Sequence, residues 1–189
     1  TFANNEWGEI TLIVGPNGTG KSLFADQLKK QLQRNKYKAR LLNAERLSGL
    51  EKQNYSYFGS SNLNNGLNIS QFKDLKDYGE SFGLSSSAFI ILKERLDVRV
   101  KIEALLSDIF NKTIRLDEQG GFLVPKIQSN SGGLEYGLKE KECHGLKELL
   151  TLLTFLYDES KNCLILDEPE LHLHPQFQSF LLSEIRKFA

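Results

Sequence analysis

Methionine is missing from all 189 positions, the first included. For a chain of this length the expectation is a fragment, or a sequence from which residues have dropped out. Cysteine is nearly absent as well. Cys143 and Cys163 stand alone, one in a polar turn and one opening an apolar run, which excludes the disulfide framework of a small extracellular domain and suggests a reducing, cytoplasmic setting. No apolar run approaches the roughly 20 residues that a bilayer span needs, and the opening TFANNEWGE lacks the charged-then-apolar order of a targeting segment. Neither sign of charge is in excess. The 24 Lys and Arg balance the 24 Asp and Glu, so composition makes no case for a general nucleic-acid footprint. One local exception is KKQLQRNKYKAR, residues 29–40, with six basic residues and no acid. It reads either as a solvated helix end and turn or as a phosphate-backbone patch.

What is present suits an ordinary core, with 40% hydrophobic and 25% charged residues, a balance that excludes disordered and fibrous classes. EITLIVG, residues 9–15, reads as a buried parallel strand closed by glycine. From Ser22 to about Arg34, Phe24, Leu28 and Leu32 recur at helical spacing, and ARLLNAER suggests a second strand. Residues 51–87 are rich in Ser, Asn and Gly with weak apolar periodicity, the mark of a surface insertion or lid. Ala88 to Phe110 carries one helical stripe. TIRL, GFLVPKI and LEYGL, separated by turn signals, predict a small antiparallel meander. LKELLTLLTFLY, apolar almost all round, predicts a buried helix; NCLILDE predicts a second core strand; and PQFQSFLLSEIRKF predicts a closing helix with Pro175 in its first turn.

The chemistry concentrates in two places. Gly15, Pro16, Asn17, Gly18, Thr19, Gly20, Lys21 and Ser22 satisfy the phosphate-loop pattern G-x-x-x-x-G-K-[ST] between a predicted strand and a predicted helix, the context the pattern requires. Its glycines let successive N–H groups turn toward phosphate oxygens, and the helix N-terminus adds the positive end of its dipole. Lys21 would reach the β- and γ-phosphates of ATP, and Ser22 would offer its hydroxyl to Mg²⁺. A second metal contact is expected from a carboxylate ending a neighbouring strand. Asp167 supplies it after the run CLIL. Glu168 follows, placed to polarise an attacking water as general base, and two adjacent carboxylates at the end of a buried strand are costly unless something uses them.

GPNGTGKS and LILDEPELHLHP together resemble the ABC-type ATPases, in particular the soluble branch of overcoming-lysogenisation-defect (OLD) proteins, RecF, SMC-like chromosome proteins and phage-defence ATPases. The Glu-Leu-His-Leu-His-Pro continuation carries most of that discrimination. The resemblance covers the first strand and loop, then roughly residues 113–189. It implies an α/β P-loop NTPase fold with a mostly parallel core sheet, a small antiparallel sheet and a helical signature lobe, incomplete at the C-terminus. The whole of 1–189 would be one ATPase domain, with insertion and helical lobe over 51–112 and the signature and acidic strand over 113–189. It further implies a signature loop before the acidic strand. Cys143, His144 and Gly145, with a helix expected from Leu146, are the best match, 24 residues ahead of Asp167; a thiol or imidazole replaces the usual serine. Two copies would form a head-to-tail dimer that sandwiches ATP and gates a nuclease domain, a partner protein or DNA, in phage defence or DNA repair. A water-sensing glutamine would be Gln53 or Gln71, and a switch histidine would lie beyond Ala189.

His172 and His174 alternate as metal ligands do, but a zinc site needs at least a third protein ligand. A turn into the Pro175 helix, or a contact across the dimer, are the competing readings. Three functional alternatives stay open beside the soluble ATPase: a transporter ATPase subunit, which should carry the standard signature; a P-loop kinase, which should carry an arginine-rich lid; and a nucleotide-gated module without useful turnover.

Overall fold

The protein is described by a computed structural model over residues 8–44, 66–82 and 87–188. The first helix, α1 (Lys21–Arg34), packs Ala25 and the half-buried Phe24, Leu28 and Leu32 inward. It ends at Asn35, and Lys36 turns the chain through a positive φ of 66°. Gln33 at the helix end donates to the Ala39 carbonyl at 3.3 Å, so α1 runs back along the strand that follows, β1 (Ala39–Leu42). β1 pairs in parallel with β6 (Cys163–Leu166), Ala39 opposite Cys163 and Leu42 opposite Leu166. A bond from the Asn162 N–H to the Lys38 carbonyl opens the ladder, and one from the Asp167 N–H to the Leu42 carbonyl closes it, at 3.2 and 2.9 Å.

A second sheet is antiparallel. β3 (Lys112–Gln119) and β4 (Phe122–Ser129) form a hairpin whose two-residue loop, Gly120-Gly121, has positive φ at both positions, as the tight turn matching strand twist demands. β2 (Leu67–Asn68) and β5 (Tyr136–Gly137) also pair with β4. Alternate residues Ile114, Leu116, Leu123 and Ile127 are buried, the period-two signature of a half-covered sheet. The helices α2 (Phe72–Phe82), α3 (Ala88–Glu94), α4 (Leu96–Phe110), α5 (Leu138–Lys141), α6 (His144–Tyr157) and α7 (Pro175–Phe188) complete the order. α6 is buried along almost its whole length, as a helix apolar on most sides must be. Its leucines join Phe89, Ile102, Ile114 and Leu123 in one hydrophobic cluster that spans helices and antiparallel sheet.

The mixed α/β class, the meander, the buried helix and the closing helix with Pro175 at its start match expectation. Four features differ. Residues 9–15 form no strand, and Leu12 and Val14 are 77% and 90% exposed. A parallel strand needs neighbours on its edge and cover on its faces, and β6 is the only partner that β1 finds among the described residues. β6 itself is half-buried where a fully buried strand was expected. The helix over 88–110 breaks at Arg95, which adopts an extended φ of −110° and ψ of 92°. Within the predicted surface insertion, Leu67 and Leu75 are buried and belong to the core; residues 45–65 and 83–86, Gln53 included, lie outside the described residues.

A buried ion pair ties the far ends of the parallel strands to the helices. Arg40 donates to Asp158 at 2.8 Å with both side chains nearly inaccessible, its guanidinium stacks 4.5 Å from the Phe155 ring centroid, and Arg95 reaches the other Asp158 oxygen at 3.4 Å. Burial alone would raise the Asp158 pKa; the bonds from Ser160 and Arg40 outweigh it and hold the pKa below the ordinary value. The pair therefore contributes stability that is complete above an unfolded-state pKa of about 3.9 and is lost as pH falls through the depressed folded value. Asp158→Ala is expected to cost about 3–5 kcal/mol at neutral pH, because it strands a buried guanidinium. Urea denaturation at pH 7 and again in acid should show that deficit shrinking as the wild-type carboxylate protonates.

Candidate functional site

Residues 15–20, which carry the glycine-rich motif, form a turn that leads into α1. Gly18 and Gly20 take φ of 79° and 88°, the left-handed region that a side chain resists. The Lys21 ammonium folds back across the turn to the Gly15 and Pro16 carbonyls at 2.9 and 3.1 Å, and the Thr19 hydroxyl donates to Pro16 at 2.8 Å. Gly20 is the N-cap of α1 and, having no side chain, offers the first-turn amides no side-chain acceptor. Ser22, in that first turn, is exposed.

α1 packs along β1, its C-terminus joined to the start of that strand by the Gln33 bond to the Ala39 carbonyl. Asp167 and Glu168 leave the C-terminal end of β6. Asp167 is buried to 8% exposure, and Glu168 takes a left-handed φ of 48°, which a residue bearing a Cβ adopts only at a cost of about 1–2 kcal/mol.

After Glu168 the chain closes two successive turns, Leu171 N–H to Glu168 O and Leu173 N–H to Glu170 O, each at 3.1 Å. His172 sits at a second positive φ, 64°. These turns bring His172 against the start of α6, its ring centroid 6.1 Å from that of His144. A Cβ placed on Gly145 would lie 3.3 Å from the His172 carbonyl and 3.9 Å from the Phe177 ring. The close approach that this glycine permits is thus to the 168–174 turn of its own chain.

Cys143 is the N-cap of α6, while His144 and Gly145 lie inside its first turn, two residues earlier than expected. Cys143, His144, His172 and His174 are all exposed, and both cysteines are free thiols. Among the described residues no group of three or more His, Cys, Asp and Glu is placed to hold a metal ion, so the His172 and His174 pair gains no third ligand. Gln71 closes a short 3-10 turn, Ile69–Gln71, that leads into α2.

Comparison with protein-family models, with curated proteins and with solved structures finds no match. The site is therefore judged on its own geometry.

In the basic stretch 29–40, Arg34, Lys36 and Lys38 are exposed and the other three cations have partners. Lys29 is buried and donates to the Glu80 carbonyl at 2.7 Å, Lys30 pairs with Asp26 on the same helix, and Arg40 is held by Asp158. Among the described residues no helix is long and apolar enough to cross a membrane.

The role of one residue was not legible in sequence. Glu142, immediately before the Cys143 turn, accepts from Lys112 at 2.6 Å, Tyr136 at 2.7 Å and the Cys143 N–H at 3.0 Å. Its side-chain partners lie on β3 and β5, and no short-range pattern marks them. The Gly145 contact generates a sharper test. Gly145→Val is expected to destabilise the fold by about 1–3 kcal/mol through overpacking against His172, read as a lower urea midpoint with an unchanged slope.

Proposed function

We propose that the chain binds and hydrolyses ATP with Mg²⁺ as an ABC-type ATPase domain. The observation that carries the reading is the phosphate turn: left-handed Gly18 and Gly20, a first turn of α1 without a side-chain cap, and the Lys21 ammonium held within the curl. In this reading the phosphate oxygens replace the Gly15 and Pro16 carbonyls as partners of Lys21, and the loop amides take the remaining acceptors.

The donor set fits magnesium. Ser22 and Asp167 offer only oxygen, and a hard cation that keeps most of its waters and takes one or two protein oxygens beside substrate phosphates suits them. Bound there, Mg²⁺ neutralises charge on the β- and γ-phosphates. Glu168 orients a water for in-line attack on the γ-phosphorus and accepts its proton as the bond to the β–γ bridging oxygen breaks, releasing ADP and phosphate. Strained backbone of the kind found at Glu168 clusters at active sites, which supports that role.

The turn Cys143–Gly145 is assigned to the nucleotide on a second copy, where the N-terminus of α6 would stabilise charge on the γ-phosphate. ATP would then join two copies head to tail, and hydrolysis would release them, gating a nuclease or DNA-associated partner. The exposure of Cys143, His144 and His172 on one face is what such a contact needs.

Lys21→Ala tests the binding half of this reading. It is expected to weaken Mg-ATP binding at least about tenfold, the loss of a charge-assisted bond of about 1.5–3 kcal/mol, in titration with a fluorescent ATP analogue, with thermal stability kept within a few degrees. Equal affinity of wild type and variant would remove the phosphate loop from the account.

A further inference from the structure

A single carboxylate governs the approach to the Cys143 turn. Glu142 is 9% exposed and stands in extended conformation, φ −87° and ψ 151°, between α5 and α6. Its Oε2 accepts from Lys112 Nζ on β3 and from the Tyr136 hydroxyl on β5, while Oε1 accepts from the Cys143 backbone N–H. Three separate parts of the chain thus meet on one side chain. Cys143, the N-cap of α6, makes no side-chain capping bond, so the carboxylate before it fixes the entry of the helix instead. The Lys112 ammonium also lies 5.8 Å from the Tyr136 ring centroid, closing the cluster. Burial works against the charge of Glu142, yet the bonds from Lys112, Tyr136 and the Cys143 amide outweigh it and keep the carboxyl below its ordinary pKa.

An arrangement of this kind is a costly way to gain stability alone, since well-packed apolar side chains do as well or better in such positions. What it supplies is a fixed geometry. β3 and β4 pair over eight consecutive positions, a stiff frame, and Glu142 connects that frame to the first turn of α6.

We propose that Glu142 is a positioning residue that locks the Cys143–Gly145 turn to the antiparallel sheet, so that the sheet sets how this turn is presented to a nucleotide on a second copy. The inference rests on the proposed role of that turn in ATP hydrolysis, and its test separates the two.

Glu142→Ala removes all three bonds, and Tyr136→Phe removes one while leaving the charge pair, which covers the case in which the first variant folds poorly. Each is compared with wild type by amide hydrogen exchange over residues 138–147 and by steady-state ATP hydrolysis. Expected are faster exchange in that segment and a fall in kcat of about tenfold or more for Glu142→Ala, because displacing a reacting-site group by about 1 Å costs up to about 10²-fold, with a smaller fall for Tyr136→Phe. KM should stay within about threefold, since in the proposed reading the phosphate loop and not this turn carries nucleotide binding. Unchanged exchange in both variants overturns the inference whatever the ATPase rate. Faster exchange with unchanged kcat would leave Glu142 holding the turn but would overturn the turn's part in the reaction.

Discussion

The parallel pairing of Ala39–Leu42 with Cys163–Leu166 is the constraint on which the candidate site depends. Register in a parallel pair is all or nothing for what leaves its end: a slip of one residue would turn Asp167 to the opposite face and exchange its place with Glu168. Two contacts guard the register from outside the ladder. Asn162 clasps Lys38 through both its backbone N–H and its side-chain oxygen before the first pair, and the Asp167 N–H bonds Leu42 after the last. At the start of the strands the Arg40 and Asp158 pair adds a buried electrostatic stop. The acidic dipeptide is therefore placed by main-chain bonding: the buried Asp167 gives its N–H to the ladder's last bond, and the half-buried Glu168 stands on left-handed backbone.

α6 supplies the other axis. Because nearly every face of this helix is buried, its N-terminus cannot shift independently of the core, and the turn that begins it is held on one side by Glu142 and on the other by the 168–174 segment packed over Gly145. The chain that leaves α6 returns through β6, and the residues after β6 fold back to the helix start. Within one copy this closes a loop of contacts from Cys143 through the core to Asp167 and round to His172. The histidines after the acidic pair gain a physical place from it: His172 lies beside His144, so the two short motifs that bear histidine are neighbours in space.

Elements whose signal is local were legible in the sequence. The glycine pair at 120–121, the apolar mass of α6 and Pro175 at the head of α7 each act over a few residues and can be read as such. Elements decided by distant partners were not. Arg95 interrupts a stripe whose apolar period continues on both sides of it, and the break coincides with ion pairs to Asp97 and, 63 residues on, Asp158. Leu67 lies in a strand of two residues among Ser, Asn and Gly, and it is buried because it pairs opposite Leu123. Residues 9–15 carry the composition of a core strand, yet Leu12 and Val14 face outward, for hydrophobic patterning states a preference for burial without naming what would cover the strand. In the site itself the carboxylates and phosphate turn were visible as motifs, whereas Glu142 depends on Lys112, thirty residues earlier in the chain.

The central claim is that Glu168 takes the proton from the attacking water. Its most direct measurement is the fate of radiolabelled Mg-ATP bound to Glu168→Gln beside wild type, at protein concentrations high enough for two copies to associate. Equal binding is expected, with wild type converting the label to ADP and phosphate and the variant retaining it as ATP, its turnover reduced at least about 10²-fold, within the range general base catalysis contributes. Equal rates of conversion in the two proteins would contradict the claim.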